Sequence, residues 1–390
     1  MKKMIPFAVA AAVALGACGS SSSSSSTTGA TTATTAGSGG SSATTTGGGG
    51  NSGASAQVGN PSSDVTLNES GSSLLYPFLQ TLVAPIKSAY SNVTLVPAAG
   101  GSGKGIADAT AGTSQMGGSD AYLTPAELSA GTLLNVPIAV SAQDVFVNLP
   151  GVTGLKLDGS VLSQIYQGKI TKWNDSAIAA LNSGVSLPST AIYPLHRSDS
   201  SGDTFLFTSF LSKTDTSGWG SSSGPEFGTT VKWPSVSNAL TASGNPGMVQ
   251  TCKATPGCVA YIGISAQNTA EAAGLQLASL QDQAGDYVTA TPTTINNAVA
   301  NSTSNVPANL AASLIYASGS MSYPIVNFEY IVVKKTQPDA NTALAIRDFL
   351  TFAISTSGAS TSALLAPQHF EALPTSVVPK VNTAIASIAG

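Results

Sequence analysis

From position 64 the chain repeats one pattern: a short β-branched run, a turn of small polar residues, then apolar residues at helical spacing. Val65-Thr66-Leu67-Asn68 alternates apolar and polar positions, as a half-buried strand does. Glu69-Ser70-Gly71-Ser72-Ser73 is the turn, and Phe78, Leu79, Leu82, Val83 and Ile86 then share one helical face. Val93-Thr94-Leu95-Val96 opens a second round, with Gly100-Gly101-Ser102-Gly103-Lys104-Gly105 as its turn. A short helix from Ile106 to Ala111 ends at Gly112. Strands alternating with helices predict an α/β fold with a largely parallel sheet. In such sheets ligands lie at the carboxyl ends of the strands, where these turns sit.

Further on, Gln115 to Tyr122 reads as a short strand ending in a polar turn that carries Asp120. Thr124-Pro125-Ala126-Glu127 is a capping box with Pro at the first helical position. Val136 to Leu149 is a long apolar, β-branched run. Asp158 caps a helix with Val161, Leu162, Ile165 and Tyr166 on one face, and Trp173-Asn174-Asp175 begins another. Tyr323 to Val333 reads as a returning strand. Helices are expected over 341–355, 360–365 and 379–388.

The first 63 residues lack this pattern. Lys2 and Lys3 precede an apolar core from Ile5 to Leu15, too short for a permanent bilayer span. Leu15-Gly16-Ala17-Cys18 has the form of a bacterial lipobox, so residues 1–18 read as a lipoprotein signal with Cys18 as the lipidated residue. An ordinary signal peptide with an incidental Cys is the alternative. Residues 19–63 are Ser, Thr, Gly and Ala almost throughout, a composition that buries no core and reads as a flexible tether. The expected location is the outer face of the cytoplasmic membrane, held by the anchor.

Composition narrows the function. At 390 residues the chain has room for two domains, and 15 Lys and Arg against 19 Asp and Glu give a net charge of −4. That excludes a nucleic-acid surface, which needs clustered cations. Cys252 and Cys258 flank a Pro-Gly turn in an exported chain, which points to a structural disulfide. A redox or metal pair is the weaker reading, because the spacing is not Cys-x-x-Cys and only His196 and His369 could assist.

The chemistry centres on His196-Arg197-Ser198-Asp199-Ser200-Ser201-Gly202-Asp203-Thr204, which runs into an apolar helix from Phe205. A Ser-Gly turn at a helix start directs backbone N–H groups and the positive helix end at a small anion. Arg197 adds a forked, permanent charge suited to tetrahedral oxyanions. The turn at Ser102-Gly103 offers a second nest of amides. It is not a P-loop: Lys104 is followed by Gly105, and Ala98 stands where the first glycine is required. His196, Asp199 and Ser201 contain the letters of a hydrolase triad, but triads are assembled from separated segments, not within one turn.

Ser102-Gly103, Gly118-Ser119-Asp120 and Arg197-x-x-x-Ser201-Gly202 together resemble the phosphate-binding proteins of the bacterial phosphate-specific (Pst) ABC transporter. Gly71-Ser72-Ser73-Leu74-Leu75-Tyr76-Pro77, Tyr166-Gln167-Gly168-Lys169-Ile170-Thr171-Lys172-Trp173-Asn174 and Pro194-Leu195-His196-Arg197-Ser198-Asp199 extend the likeness, in wording similar to the mycobacterial and actinobacterial branch. The resemblance covers most of the chain after the tether. It implies a two-lobed, venus-flytrap periplasmic-binding-protein fold, type II-like, with lobe 1 formed by 64–142 plus 325–390 and lobe 2 by 143–324. Hinge segments would lie near 140–147 and 325–332.

The resemblance also implies a set of phosphate contacts. From lobe 1 come Leu75, Tyr76, Ser102, Gly103 and Asp120; from lobe 2 come Arg197, Ser201, Gly202 and Asp203. Leu75 stands where many members have Thr, so only its N–H would serve, with Ser73 as a replacement hydroxyl. Asp203 also replaces a Thr and is either a second proton acceptor or a first-turn residue favouring the helix dipole. The implied role is a monomeric, non-enzymatic receptor that needs no cofactor or metal. It would take inorganic phosphate to an ABC permease and be held at the membrane through Cys18. A secreted phosphatase-like enzyme and the same fold binding another oxyanion are the competing readings.

Overall fold

The computed structural model describes residues 59–390. The export signal, the lipobox Cys18 and the tether up to residue 58 lie outside the described residues. The strands are β1 (Val65–Gly71), β2 (Val93–Ala99), β3 (Met116–Ser119), β4 (Leu133–Val147), β5 (Lys156–Leu157) and β6 (Tyr193–Arg197). They continue as β7 (Leu240–Ala242), β8 (Cys258–Gly263), β9 (Gln276–Leu277), β10 (Ser279–Gln281), β11 (Tyr287–Val288) and β12 (Val326–Lys334). The main path of hydrogen-bonded strands is β2-β1-β3-β12-β4-β8-β6-β7, with β9 also on β4. A small sheet, β11-β10-β5, lies apart.

The expected parallel strands flank an antiparallel centre. β1 is parallel to β2 and β3, and β6 is parallel to β7 and β8, as strand–helix units dictate. β12 runs antiparallel to β3 and β4, and β4 antiparallel to β8. Both β4 and β12 are buried nearly throughout, so they show no alternation from which direction or pairing is read. Along the main path β4 serves two partners in turn. It pairs with β12 from Leu133 to Ala142 and with β8 from Gln143 to Val147. At the change of partner, the Gln143 N–H donates to Ile325 O at 3.0 Å.

Helix starts follow the sequence signals. Thr124 and Glu127 form the capping box, Asp158 caps Gly159–Tyr166, and Asp175 caps Ser176–Leu181. The C-terminal helices are Ala340–Ile354, Ser362–Leu365 and Val378–Ala386. Cys252 and Cys258 are bonded, with Cα atoms 5.3 Å apart. Residues 59–63, assigned to the tether on composition, are hydrogen-bonded to the fold. Gly59 N donates to Asp348 Oδ1 (3.1 Å), Ser62 N to Asn341 Oδ1 (3.0 Å), and Asn92 Nδ2 to Pro61 O (2.7 Å). These contacts are polar and only Pro61 among the five residues is buried, so composition carries little sign of them. Among the described residues no helix is long and apolar enough to cross a membrane.

Candidate functional site

Arg197 ends β6, and Ser201 caps the helix Gly202–Thr214, accepting from Thr204 N at 3.4 Å. The first ten residues of that helix are buried, so its N-terminal end sits inside the molecule. The Arg197 side chain is 1% exposed. Its Nε donates to Asp199 Oδ1 at 2.7 Å and its Nη2 to Asp199 Oδ2, a two-point pair; Nη1 donates to Asp203 Oδ2 at 2.7 Å. Its backbone N–H donates to the Tyr261 hydroxyl at 2.9 Å, which fixes the strand end. Asp203 also accepts from Gln143 Nε2 at Oδ1 (3.1 Å) and from Asn245 Nδ2 at Oδ2 (2.9 Å).

On the opposite wall Asp120 follows β3 and is 2% exposed. It accepts from the Ser72 hydroxyl at Oδ1 and from Ser102 Oγ at Oδ2 (3.2 Å), while its own N–H donates back to Ser102 Oγ (3.2 Å). Ser72 Oγ in turn accepts from Leu74 N and Leu75 N, both at 3.0 Å, and Tyr76 N donates to Ser72 O at 3.1 Å. Of the adjacent Ser72 and Ser73, it is Ser72 whose hydroxyl lies beside Asp120. Ser73 Oγ lies elsewhere and accepts from Asn245 N (3.1 Å) and Nδ2 (3.3 Å).

The two walls touch. A methyl group on Gly202 would meet Asp120 Oδ2, lie 2.5 Å from Ser102 Oγ and lie 2.7 Å from Asp120 Cβ. Gly103 N donates to Ser200 O at 3.1 Å. Ser102, Gly103 and Asp120 thus meet Ser201, Gly202, Asp203 and Arg197 at one point. Leu75 and Tyr76 reach it only through Ser72, and Ser73 only through Asn245.

Charge at this point is unusual. Burial, then the charge of Asp203, push the Asp120 carboxyl up to about 7; Ser72, Glu329 and Arg197 pull it down. Burial also raises Asp203, against Arg197, Gln143 and Asn245. Burial would raise Asp199 as well, but the Arg197 hydrogen bond and charge hold it below the usual range. Arg197 is held above its ordinary value because its bonds to Asp199 and the two carboxylate charges outweigh burial. One fixed cation, two carboxylates engaged with it and a third acid poised to exchange a proton suit an anion that itself carries a proton. Among the described residues no cluster of His, Cys, Asp and Glu could hold a metal ion.

Sequence reasoning missed Gln143, Asn245 and Glu329. Gln143 and Glu329 are among several polar residues set into mainly apolar strands, a signal that was present; Asn245 lies in the first turn of the helix Gly244–Ala254, with no distinguishing pattern. His196 stacks on Trp233 with ring centroids 4.6 Å apart, a packing role, and Lys104 pairs with Asp108 at 2.6 Å on the surface.

Residues 25–357 match the family model described as a PBP superfamily domain. The chain is 30% identical over 330 residues to the phosphate-binding protein PstS of Xylella fastidiosa (strain 9a5c), covering 84% of this chain and 86% of that protein. It is 31% identical over 358 residues to phosphate-binding protein PstS 3 of Mycobacterium tuberculosis (strain ATCC 25618 / H37Rv), covering 87% and 92%. Its fold is that of PfluDING, a high affinity periplasmic phosphate-binding protein solved with phosphate (TM-score 0.64, 21% identity, 82% and 93% covered). The phosphate binding protein of Stenotrophomonas maltophilia is similar (TM-score 0.58, 19% identity, 83% and 93% covered). These relatives are phosphate-binding proteins. The chain belongs to the PBP superfamily and, within it, to the family of PstS phosphate-binding proteins.

Proposed function

We propose that this protein captures inorganic phosphate outside the cytoplasmic membrane and delivers it to an ABC permease. The observation that carries the reading is the meeting of Arg197 and the Ser201-Gly202 helix start with Asp120 and Ser102 at one buried point. The helix end and Arg197 attract an oxyanion. Asp120 then selects among oxyanions. Phosphate near neutral pH carries at least one proton and can donate to a carboxylate, whereas sulfate offers only lone pairs. Such a site can reject the analogue lacking the donor by about 10⁴-fold or more. Asp203 serves as a second proton acceptor and so favours the more protonated phosphate ion.

The lobes divide at the partner change in β4, as 64–142 plus 325–390 and 143–324, and close about that strand and β12. Export and anchoring rest on the signal and Cys18. Titration calorimetry of the full chain with phosphate, then sulfate, tests the reading. One-to-one phosphate binding without sulfate heat is expected. Equal binding of both ions removes the role of Asp120; no heat with either removes the phosphate reading.

A further inference from the structure

Glu329 lies on β12 opposite Asp120: the antiparallel register sets Tyr330 against Ser119, the residue before Asp120. The pairing of β12 with β4 shifts between Glu329 and Tyr330, so the ladder is irregular at this residue. Glu329 is 0% exposed and pairs with no cation. Its Oε1 accepts from Ser141 Oγ at 2.5 Å and from Asn327 Nδ2 at 2.8 Å. Its Oε2 is buried and meets no protein donor, while the Asp120 carboxyl lies within hydrogen-bonding reach. Two donors on one oxygen leave the other as the place for a proton, and the adjacent Asp120 carboxylate is the acceptor that proton needs.

We propose that Glu329 stays protonated and donates from Oε2 to Asp120, so that Asp120 remains a carboxylate able to accept a proton from a bound oxyanion. Glu329 touches no ligand and acts through Asp120 as a positioning residue. The arrangement resolves the cost of burying Asp120: two carboxyls side by side cannot both ionise readily, and the proton settles on the one with no ligand to receive. Asp203 and Arg197 act on Asp120 from the far wall, and Tyr330 and Tyr122 lie on the near side. None of these replaces the missing donor.

The binding arm of the test rests on the phosphate reading; the spectroscopic arm does not. Glu329→Gln keeps an N–H donor toward Asp120 and an acceptor for Ser141 and Asn327, whereas Glu329→Leu keeps bulk and loses the donor. In calorimetry of the full chain, Glu329→Leu should lose phosphate affinity about tenfold or more, with a comparable fall in preference over sulfate. Glu329→Gln should lose clearly less. A Leu variant that binds like the parent, or a Gln variant as weak as Leu, overturns the proposal. Should the Leu variant misfold, infrared difference spectra decide: parent minus Glu329→Gln at neutral pH should show the carbonyl stretch of a neutral carboxylic acid. Absence of that band overturns the proposal. The band without phosphate binding by the parent would sink the phosphate reading and leave the proton on Glu329.

Discussion

Gly202 packs so closely on Asp120 that a side chain on it has no room: a methyl would lie 2.7 Å from Asp120 Cβ and 2.5 Å from Ser102 Oγ. The contact joins a helix start from one side of the molecule to a carboxylate from the other. Gly202→Ala should therefore keep the fold and hold the two walls apart. Phosphate affinity should fall about tenfold or more while the circular dichroism spectrum stays unchanged, the loss being one of poorer geometry at both walls.

Asp120→Asn tests the selection step. Asparagine keeps the shape, can still accept at one atom, and adds an N–H donor that sulfate can use. Phosphate affinity should fall about ten- to a hundredfold, and the gap between phosphate and sulfate should narrow. An unchanged gap in competition calorimetry would assign selectivity to other residues.

Arg197→Lys keeps one charge and loses the fork. A lysine cannot meet Asp199 at two atoms and Asp203 at a third. Phosphate affinity should fall by about a hundredfold, and a partly unpaired buried Asp203 should cost about 2 kcal/mol in urea unfolding. Asp199→Asn should act more mildly, because Asp203 still holds the guanidinium.

Stability should decline as pH rises. Burial lifts Glu69 and Asp144 to about 8 and Asp348 to about 6, from ordinary values of 4.5 for Glu and 3.8 for Asp. Through that window the native state holds protons that the unfolded chain has released. Their stabilising contribution is whole below the ordinary values and is lost as pH climbs through the raised ones, each group adding at most about 1.4 kcal/mol per pH unit. The unfolding temperature should fall between about pH 5 and pH 9. Asp144→Asn should flatten this slope and unfold at a higher temperature than the parent in the alkaline range.

Much of the site was legible because its chemistry depends on local grammar. Ser201-Gly202 before an apolar helix, Arg197 just ahead of it and Asp120 beyond a Gly-Gly strand end are all short-range signals. Ser72 and Ser73 are adjacent in one turn and point apart, Ser72 to Asp120 and Ser73 to Asn245, and only the third dimension says which goes where. Gln143 and Glu329 are two of several polar residues in mainly apolar runs, which were noticed as strands rather than as chemistry. The direction of β4 and β12 was hidden for a related reason: a strand buried on both faces gives no alternation to read. Asn245 joins Ser73 to Asp203 across 172 and 42 residues of sequence, a link that no local pattern encodes.

The change of partner within β4 gives the molecule something like a drive shaft. One unbroken backbone belongs to the β12 side up to Ala142 and to the β8 side from Gln143. Gln143, the first residue past the change, grips the helix that carries Asp203 by donating to its backbone and side-chain oxygens at 2.8 and 3.1 Å. The start of that helix is thus tied directly to the strand at its change of partner, without passing through intervening loops. On the proposed reading, loading the site would turn the two halves in the same event, and a permease would meet an outer surface that reports what is held within.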